Sequence, residues 1–99
     1  MKDYIESNLE KSIDLATLAD TAGYSLFHFA RAFKQSEGQT PHGYLLQRRV
    51  ERAQRLLTDS DLPLSEIARA TGFSDHGHLS RLFRQRFGVS PRMLRWSKR

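Results

Sequence analysis

The 99-residue sequence contains no cysteine. That absence removes disulfides, thiol catalysis and Cys-ligated zinc, and it suits a reducing cytosol. Long apolar runs are missing too. The longest are a few residues, far short of the ~20 that cross a bilayer, so no membrane association is expected. Met1-Lys2-Asp3 leads into no apolar stretch, so no signal peptide is expected either. The glycines stand singly, which leaves no phosphate-binding loop. No stretch alternates as a strand would, and no low-complexity linker interrupts the chain. Disorder is not expected from the composition, since 38% hydrophobic and 27% charged residues are ordinary for a globular domain. A chain of this size forms one domain or at most two very small ones, which excludes a large two-domain enzyme cleft.

Acidic residues are scarce in the second half and absent after Asp75. Residues 1–40 carry four Lys or Arg against six acids, whereas residues 41–99 carry twelve against five. Arg81, Arg84, Arg86, Arg92, Arg95, Lys98 and Arg99 stand unopposed. The formal net charge of +5 points toward polyanions. A solvated surface is the plain reading of such a run. A phosphate-binding surface is the sharper one, because Lys and Arg release condensed counterions from nucleic acid.

The chain repeats itself once. Leu15, Ala19, Gly23 and Ser25 recur 49 positions later as Leu64, Ala68, Gly72 and Ser74. Arg31, Phe33, Gln35, Gly38 and Pro41 recur 50 positions later as Arg81, Phe83, Gln85, Gly88 and Pro91. The change of offset places one extra residue just after Ser25/Ser74. Each copy reads as helix, tight turn, helix. Asp14 caps a helix carrying Leu15, Leu18, Ala19 and Ala22, which Gly23 ends. Ser25 caps the next, with Leu26, Phe29 and Phe33 on one face. In the second copy Leu64, Ile67 and Ala68 precede Gly72, and Leu79, Leu82, Phe83 and Phe87 follow. The small Ala19 and Ala68 sit where two crossing helices need close approach. This is the helix-turn-helix pattern, twice, in a basic chain.

Between the copies, Pro41 opens a helix predicted to run to Leu57, with Leu46, Val50, Ala53 and Leu57 on one face and Arg48, Arg52 and Arg55 opposite. Its length of roughly 25 Å makes a rigid spacer. Residues 58–61 read as a loop. Tyr4, Ile5 and Leu9 predict a short first helix, and Pro91, Met93, Leu94 and Trp96 a last one. The predicted fold class is all-α.

With Phe29 and Phe33 inward, Phe27, Arg31 and Lys34 point outward and Ala30 flanks. With Leu79 and Phe83 inward, Gly77, Arg81 and Arg84 point outward and Ser80 flanks. An Arg projecting from a helix in the major groove can pair bidentately with guanine O6 and N7. Lys34 and Arg84, one turn on, are placed for phosphate. Phe27 is open to two readings, contact with a thymine methyl or sugar and packing against the preceding helix. His76 lies in the first turn, where base contacts concentrate, and reads equally as a polar residue near a cap.

No enzyme is expected. Ser74, Asp75 and His76 are consecutive, so their side chains diverge from triad geometry. His76 and His78 face different ways, and no carboxylate cluster completes a metal site. Asp59 and Asp61 lack the spacing of a calcium loop. Neither a cofactor nor a small-molecule site is expected.

Three segments carry a family resemblance: Arg49-Val-Glu-Arg-Ala-Gln-Arg-Leu-Leu57, Ile67-Ala-Arg-Ala-Thr-Gly-Phe-Ser-Asp-His-Gly-His-Leu-Ser-Arg-Leu-Phe83, and Phe87-Gly-Val-Ser-Pro91. They resemble the DNA-binding domain of the AraC/XylS family of bacterial transcription regulators, over nearly the whole chain. The resemblance implies seven short helices in two helix-turn-helix subdomains, residues 1–40 and 58–99, joined by the linker helix 41–57. It implies two recognition helices in adjacent major grooves of double-stranded promoter DNA. Carried over by position, the base-contacting residues are Phe27, Ala30 and Arg31, then His76, Gly77, Ser80 and Arg81. Phosphate contacts fall to Ser25, Lys34, Ser74, His78 and Arg84. Two residues depart from the pattern: Ala30 offers only apolar contact, and Gly77 has no side chain and costs about 1 kcal/mol of helix propensity against Ala. The family also implies transcription activation, RNA polymerase as a partner, and a cytoplasmic, nucleoid-associated location. Most members carry a further sensing or dimerising domain, so the chain resembles either a small stand-alone member or an isolated C-terminal domain. The competing reading is a protein-interaction module that docks RNA polymerase or a partner regulator and touches DNA weakly.

Overall fold

The computed structural model describes residues 2–98, with side chains for residues 3–97. Met1, Arg99 and the Lys98 side chain, named above, lie outside what is described. Among the described residues there are seven helices and no strand: α1 (Lys2–Ser7), α2 (Leu15–Thr21), α3 (Leu26–Glu37), α4 (Pro41–Asp59), α5 (Leu64–Ala70), α6 (His76–Phe87) and α7 (Pro91–Lys98). The molecule is elongated, 47 × 22 × 20 Å.

Several helix starts follow cap chemistry, although α5 begins after Pro63 with no side-chain cap. Asp14 Oδ1 accepts the Ala16 and Thr17 amides at 3.0 and 3.3 Å. Thr40 Oγ1 accepts the Gly43 amide at 3.1 Å, with Pro41 in the first turn of α4. Each such bond satisfies an amide that the helix itself leaves unpaired.

The two hairpins, α2–α3 and α5–α6, turn in the same way. Gly23 and Gly72 hold φ of +83° and +88°, where a side chain is strained. The next amide then reaches back to the helix: Tyr24 N–H donates to the Ala19 carbonyl and Phe73 N–H to that of Ala68, each at 2.9 Å. Ala19 and Ala68 are both buried, so the helices approach closely at these positions.

Past the turns the repeat departs from the sequence register. The N-cap of α3 is Ser25, but that of α6 is Asp75, not Ser74. The extra residue of the second copy is therefore Ser74, before the cap. Aligning like with like conceals this, because either Ser or Asp can cap a helix.

Three apolar clusters hold the fold. Val50, Ala53 and Leu57 of α4 pack with Ile67, Ala68, Phe73, Leu79 and Phe83. Ile5 and Leu9 pack on Leu45. Ala19, Phe29 and Phe33 form a third group, which Tyr44 joins edge-on to Phe33 at 5.5 Å.

Helix α4 thus serves both ends of the molecule, and its buried stripe shifts along its length. Leu45 is buried where the sequence favours Leu46, which is half-buried, because the first half of α4 packs on Ile5 and Leu9. The helix also continues to Asp59, so the connection to α5 starts at Ser60. Arg48 does not join Arg52 and Arg55 in solvent. It is half-buried, donating from Nε and Nη2 to Glu6 at 2.8 and 2.5 Å.

The terminal helices differ from expectation in detail. α1 stops at Ser7, and Leu9 is buried beyond it. Tyr4 is exposed, as are Leu26, Met93 and Trp96, which the apolar patterns group with their helices' inner faces. α7 is held instead by Leu94 and by Arg95, whose guanidinium donates to the carbonyls of Leu57, Ser60 and Leu62.

Candidate nucleic-acid interface

Helices α3 and α6 are both 12 residues long, and each ends at a left-handed glycine, Gly38 or Gly88. Phe29 and Phe33 face inward on one, Leu79 and Phe83 on the other. Arg31, Lys34, Arg81 and Arg84 are exposed, at matching positions. Two basic helices are therefore presented with the same register and the same inner anchor. No group of three or more His, Asp or Glu able to hold a metal occurs among the described residues.

At the start of α3, the Ser25 hydroxyl accepts the His28 amide at 3.2 Å and lies 2.9 Å from His28 Nδ1. Phe27 is 70% exposed, which leaves it out of the core. Its ring and that of His28 lie in a T-shaped arrangement, with centroids 5.8 Å apart. Packing against α2 is thus not its role. Ala30 is half-buried beside Arg31.

At the start of α6, Asp75 Oδ1 accepts the His78 amide at 2.8 Å. That bond, with the Gly77 amide and the nearby Arg81 charge assisting, holds the Asp75 carboxyl below its usual range. His76 is exposed, and Ser80 and Gly77 are half-buried. The His78 ring stands edge-on to buried Phe73 at 5.2 Å, so one side of it is occupied. Ser74 is exposed just ahead of the cap.

The residues proposed from sequence thus fall into a group of five at α3, Ser25, Phe27, Ala30, Arg31 and Lys34, with no acid on that helix's outer face, and a group of six at α6, Ser74, His76, Gly77, Ser80, Arg81 and Arg84, beside Asp75.

 His78 belongs with the second group by position, which makes the α6 end the larger of the two. Sequence reasoning missed Asp75 as the cap of α6, although Asp before a helical run is a readable signal. It also missed Arg49. Arg49 donates from Nε to the Leu9 carbonyl and from Nη2 to that of Lys11, at 3.0 and 2.8 Å. Burial pushes its pKa down. With Arg48 on Glu6, it ties α4 to the first segment of the chain and so fixes the base on which both helices stand.

No helix among the described residues is long and apolar enough to cross a membrane.

Comparison with known proteins gives a consistent result. A family model described as a helix-turn-helix domain matches residues 18–96. The chain is 38% identical over 89 residues to the probable transcriptional regulator LumQ of Photobacterium leiognathi, covering 90% of this chain and 36% of that protein. It is 38% identical over 92 residues to the HTH-type transcriptional activator RhaS of Escherichia fergusonii, covering 93% of this chain and 33% of that one. The chain thus spans about a third of the length of these relatives. Among solved structures, the DNA-binding domain of AdpA, a global transcriptional factor crystallised with a target DNA, is 35% identical. It matches with a TM-score of 0.91, over 96% of this chain and 86% of that one. An AraC-type transcriptional regulator from Chromobacterium violaceum is 32% identical, with a TM-score of 0.87, over 97% and 86% of the two chains. These relatives are transcription regulators, not enzymes. By sequence and by fold, the chain belongs to the AraC/XylS family of helix-turn-helix DNA-binding domains.

Proposed function

We propose that the chain binds double-stranded promoter DNA at a specific sequence, with α3 and α6 entering adjacent major grooves. The observation that carries this is the matched pair Arg31 and Arg81, exposed at equivalent positions on two equally anchored helices. The 47 Å long axis can accommodate two readers about 34 Å apart, the repeat of the major groove along one side of B-DNA. In this reading Phe27, Ala30 and Arg31 contact bases from α3, and His76, Gly77, Ser80 and Arg81 from α6, with Gly77 contributing only backbone. Ser25, Lys34, Ser74, His78 and Arg84 meet phosphates. Residues 1–40 and 58–99 act as the two reading units, and α4 sets their separation. The activator relatives extend the proposal to transcription activation, and the family resemblance implies RNA polymerase as partner.

Selection from a pool of random duplexes at physiological salt tests the reading. The expected result is a bipartite motif with half-sites about 10 to 10.5 base pairs apart. Retained DNA without a motif, bound with a steep salt dependence, would replace it with phosphate-only binding.

A further inference from the structure

The two hairpins differ at the caps of the helices expected to meet bases. α3 is capped by the neutral Ser25 and α6 by the carboxylate of Asp75. An acid at this place is unfavourable for approach to a phosphate backbone, and it is the last acid in the chain. Its cap bond alone does not require a charge, since Ser25 makes the same bond in the first copy.

Gly77 supplies the second observation. A Cβ built on Gly77 would lie 3.1 Å from Asp75 Oδ1 and 3.8 Å from Arg81 Nη1. The Arg81 guanidinium therefore runs back along α6, toward its N-terminus, over the bare backbone of residue 77. Asp75 flanks the same spot. The gap left by the missing side chain is flanked by the carboxylate and the guanidinium, near enough for the Arg81 charge to act on Asp75 across it without an ion-pair contact.

We propose that Asp75 is a specificity-determining positioning residue, which directs the Arg81 guanidinium along the start of α6 across the space left open by Gly77. Asp75 acts through Arg81 and need not touch a base. The α3 site, with its neutral cap, has no equivalent control. This inference rests on the reading of Arg81 as a base contact.

The test uses the full 99-residue chain and the duplex obtained by selection. Affinities are measured at fixed salt for that duplex, and for duplexes altered singly in the half-site read by α6 or by α3. Asp75→Asn and Asp75→Ser retain a capping side chain, and thermal unfolding checks that both variants fold. The expected result is about a fivefold loss of discrimination in the α6 half-site, none in the α3 half-site, and no additional loss when Asp75→Asn is added to Arg81→Ala. Discrimination that survives Asp75→Asn but not Arg81→Ala would overturn the inference and leave Arg81 as a reader. An equal loss at both half-sites would also overturn it. Discrimination that survives Arg81→Ala would remove both the reading and the inference.

Discussion

Gly72 and Arg49 lie so close that a Cβ on Gly72 would stand 2.6 Å from Arg49 Nε, and it would also collide with the Leu9 carbonyl oxygen. Arg49 Nε donates to that same carbonyl. The turn of the second hairpin is therefore packed against the link between α1 and α2, with an α4 side chain as the bracket. This contact holds the two ends of the molecule together outside the apolar clusters.

Gly72→Ala is expected to be much more damaging than Gly23→Ala. Both positions have left-handed φ, but Gly23 faces open space. Gly23→Ala should cost about 1–2 kcal/mol from backbone strain alone. Gly72→Ala adds a backbone collision and should exceed 3 kcal/mol, the upper end of ordinary single substitutions. Urea unfolding of the two variants checks this, and equal costs would refute the bracket.

The Glu6–Arg48 pair should make a small, pH-dependent contribution to stability. The Arg48 hydrogen bonds hold the Glu6 carboxyl below its usual range. A carboxylate with a depressed folded pKa stabilises above its unfolded pKa, near 4.3, and loses that contribution as pH falls through the folded value. The Glu6 side chain is 40% exposed, so solvent screening keeps the effect below about 1 kcal/mol. Unfolding midpoints of wild type and Glu6→Gln should differ at pH 7 and converge as the pH falls below 4, with the gap narrowing in high salt.

Phe27 and Phe29 should separate function from folding. Phe29 is 2% exposed, and Phe29→Ala is expected to cost about 3–5 kcal/mol of stability. Phe27→Ala should change stability by no more than about 0.5 kcal/mol, because the ring leaves the solvent for no core contact. Its loss should instead weaken the selected duplex severalfold. Calorimetry and DNA titration on the same samples give both values. Unchanged DNA affinity would return Phe27 to the status of an ordinary surface residue.

Arg81 and Lys34 should differ in kind. Arg81→Ala is expected to weaken the selected duplex by about 1–3 kcal/mol more than random DNA, as for a lost bidentate base pair contact. Lys34→Ala should weaken both alike and lower the slope of log affinity against log salt by about 1. Titrations on both duplexes over a salt series are the measurement. Equal losses on the two DNAs for Arg81→Ala would remove it as a base reader.

Much of the candidate surface is legible without a structure. Arg31, Lys34, Arg81 and Arg84 are exposed as their spacing from Phe29, Phe33, Leu79 and Phe83 predicts, because a helix fixes which residues share a face. Phe27 is not settled that way. Its angle permits either solvent or a neighbouring helix, and only the placement of α2 leaves it open. The first turn of α6 at His76 is legible in the sequence, but its cap is not. Ser74 and Asp75 both suit a cap, and the conformation of the turn selects Asp75.

The sequence by itself determined the helices, the duplicated hairpin, the turns at Gly23 and Gly72, and the basic outer faces. Those features follow from 3.6-residue periodicity, cap chemistry and the freedom of glycine, all of which act over a few neighbouring residues. Tertiary structure decided which arginines are structural. Arg48 and Arg49 look like further members of a basic helix, yet they reach partners 42 and 40 positions away, at Glu6 and Leu9. It also decided that α4 buries Leu45 rather than Leu46, because one helix must pack against clusters at both ends of the molecule. Local pattern limits where a side chain can point, but what it meets depends on how distant segments are brought together.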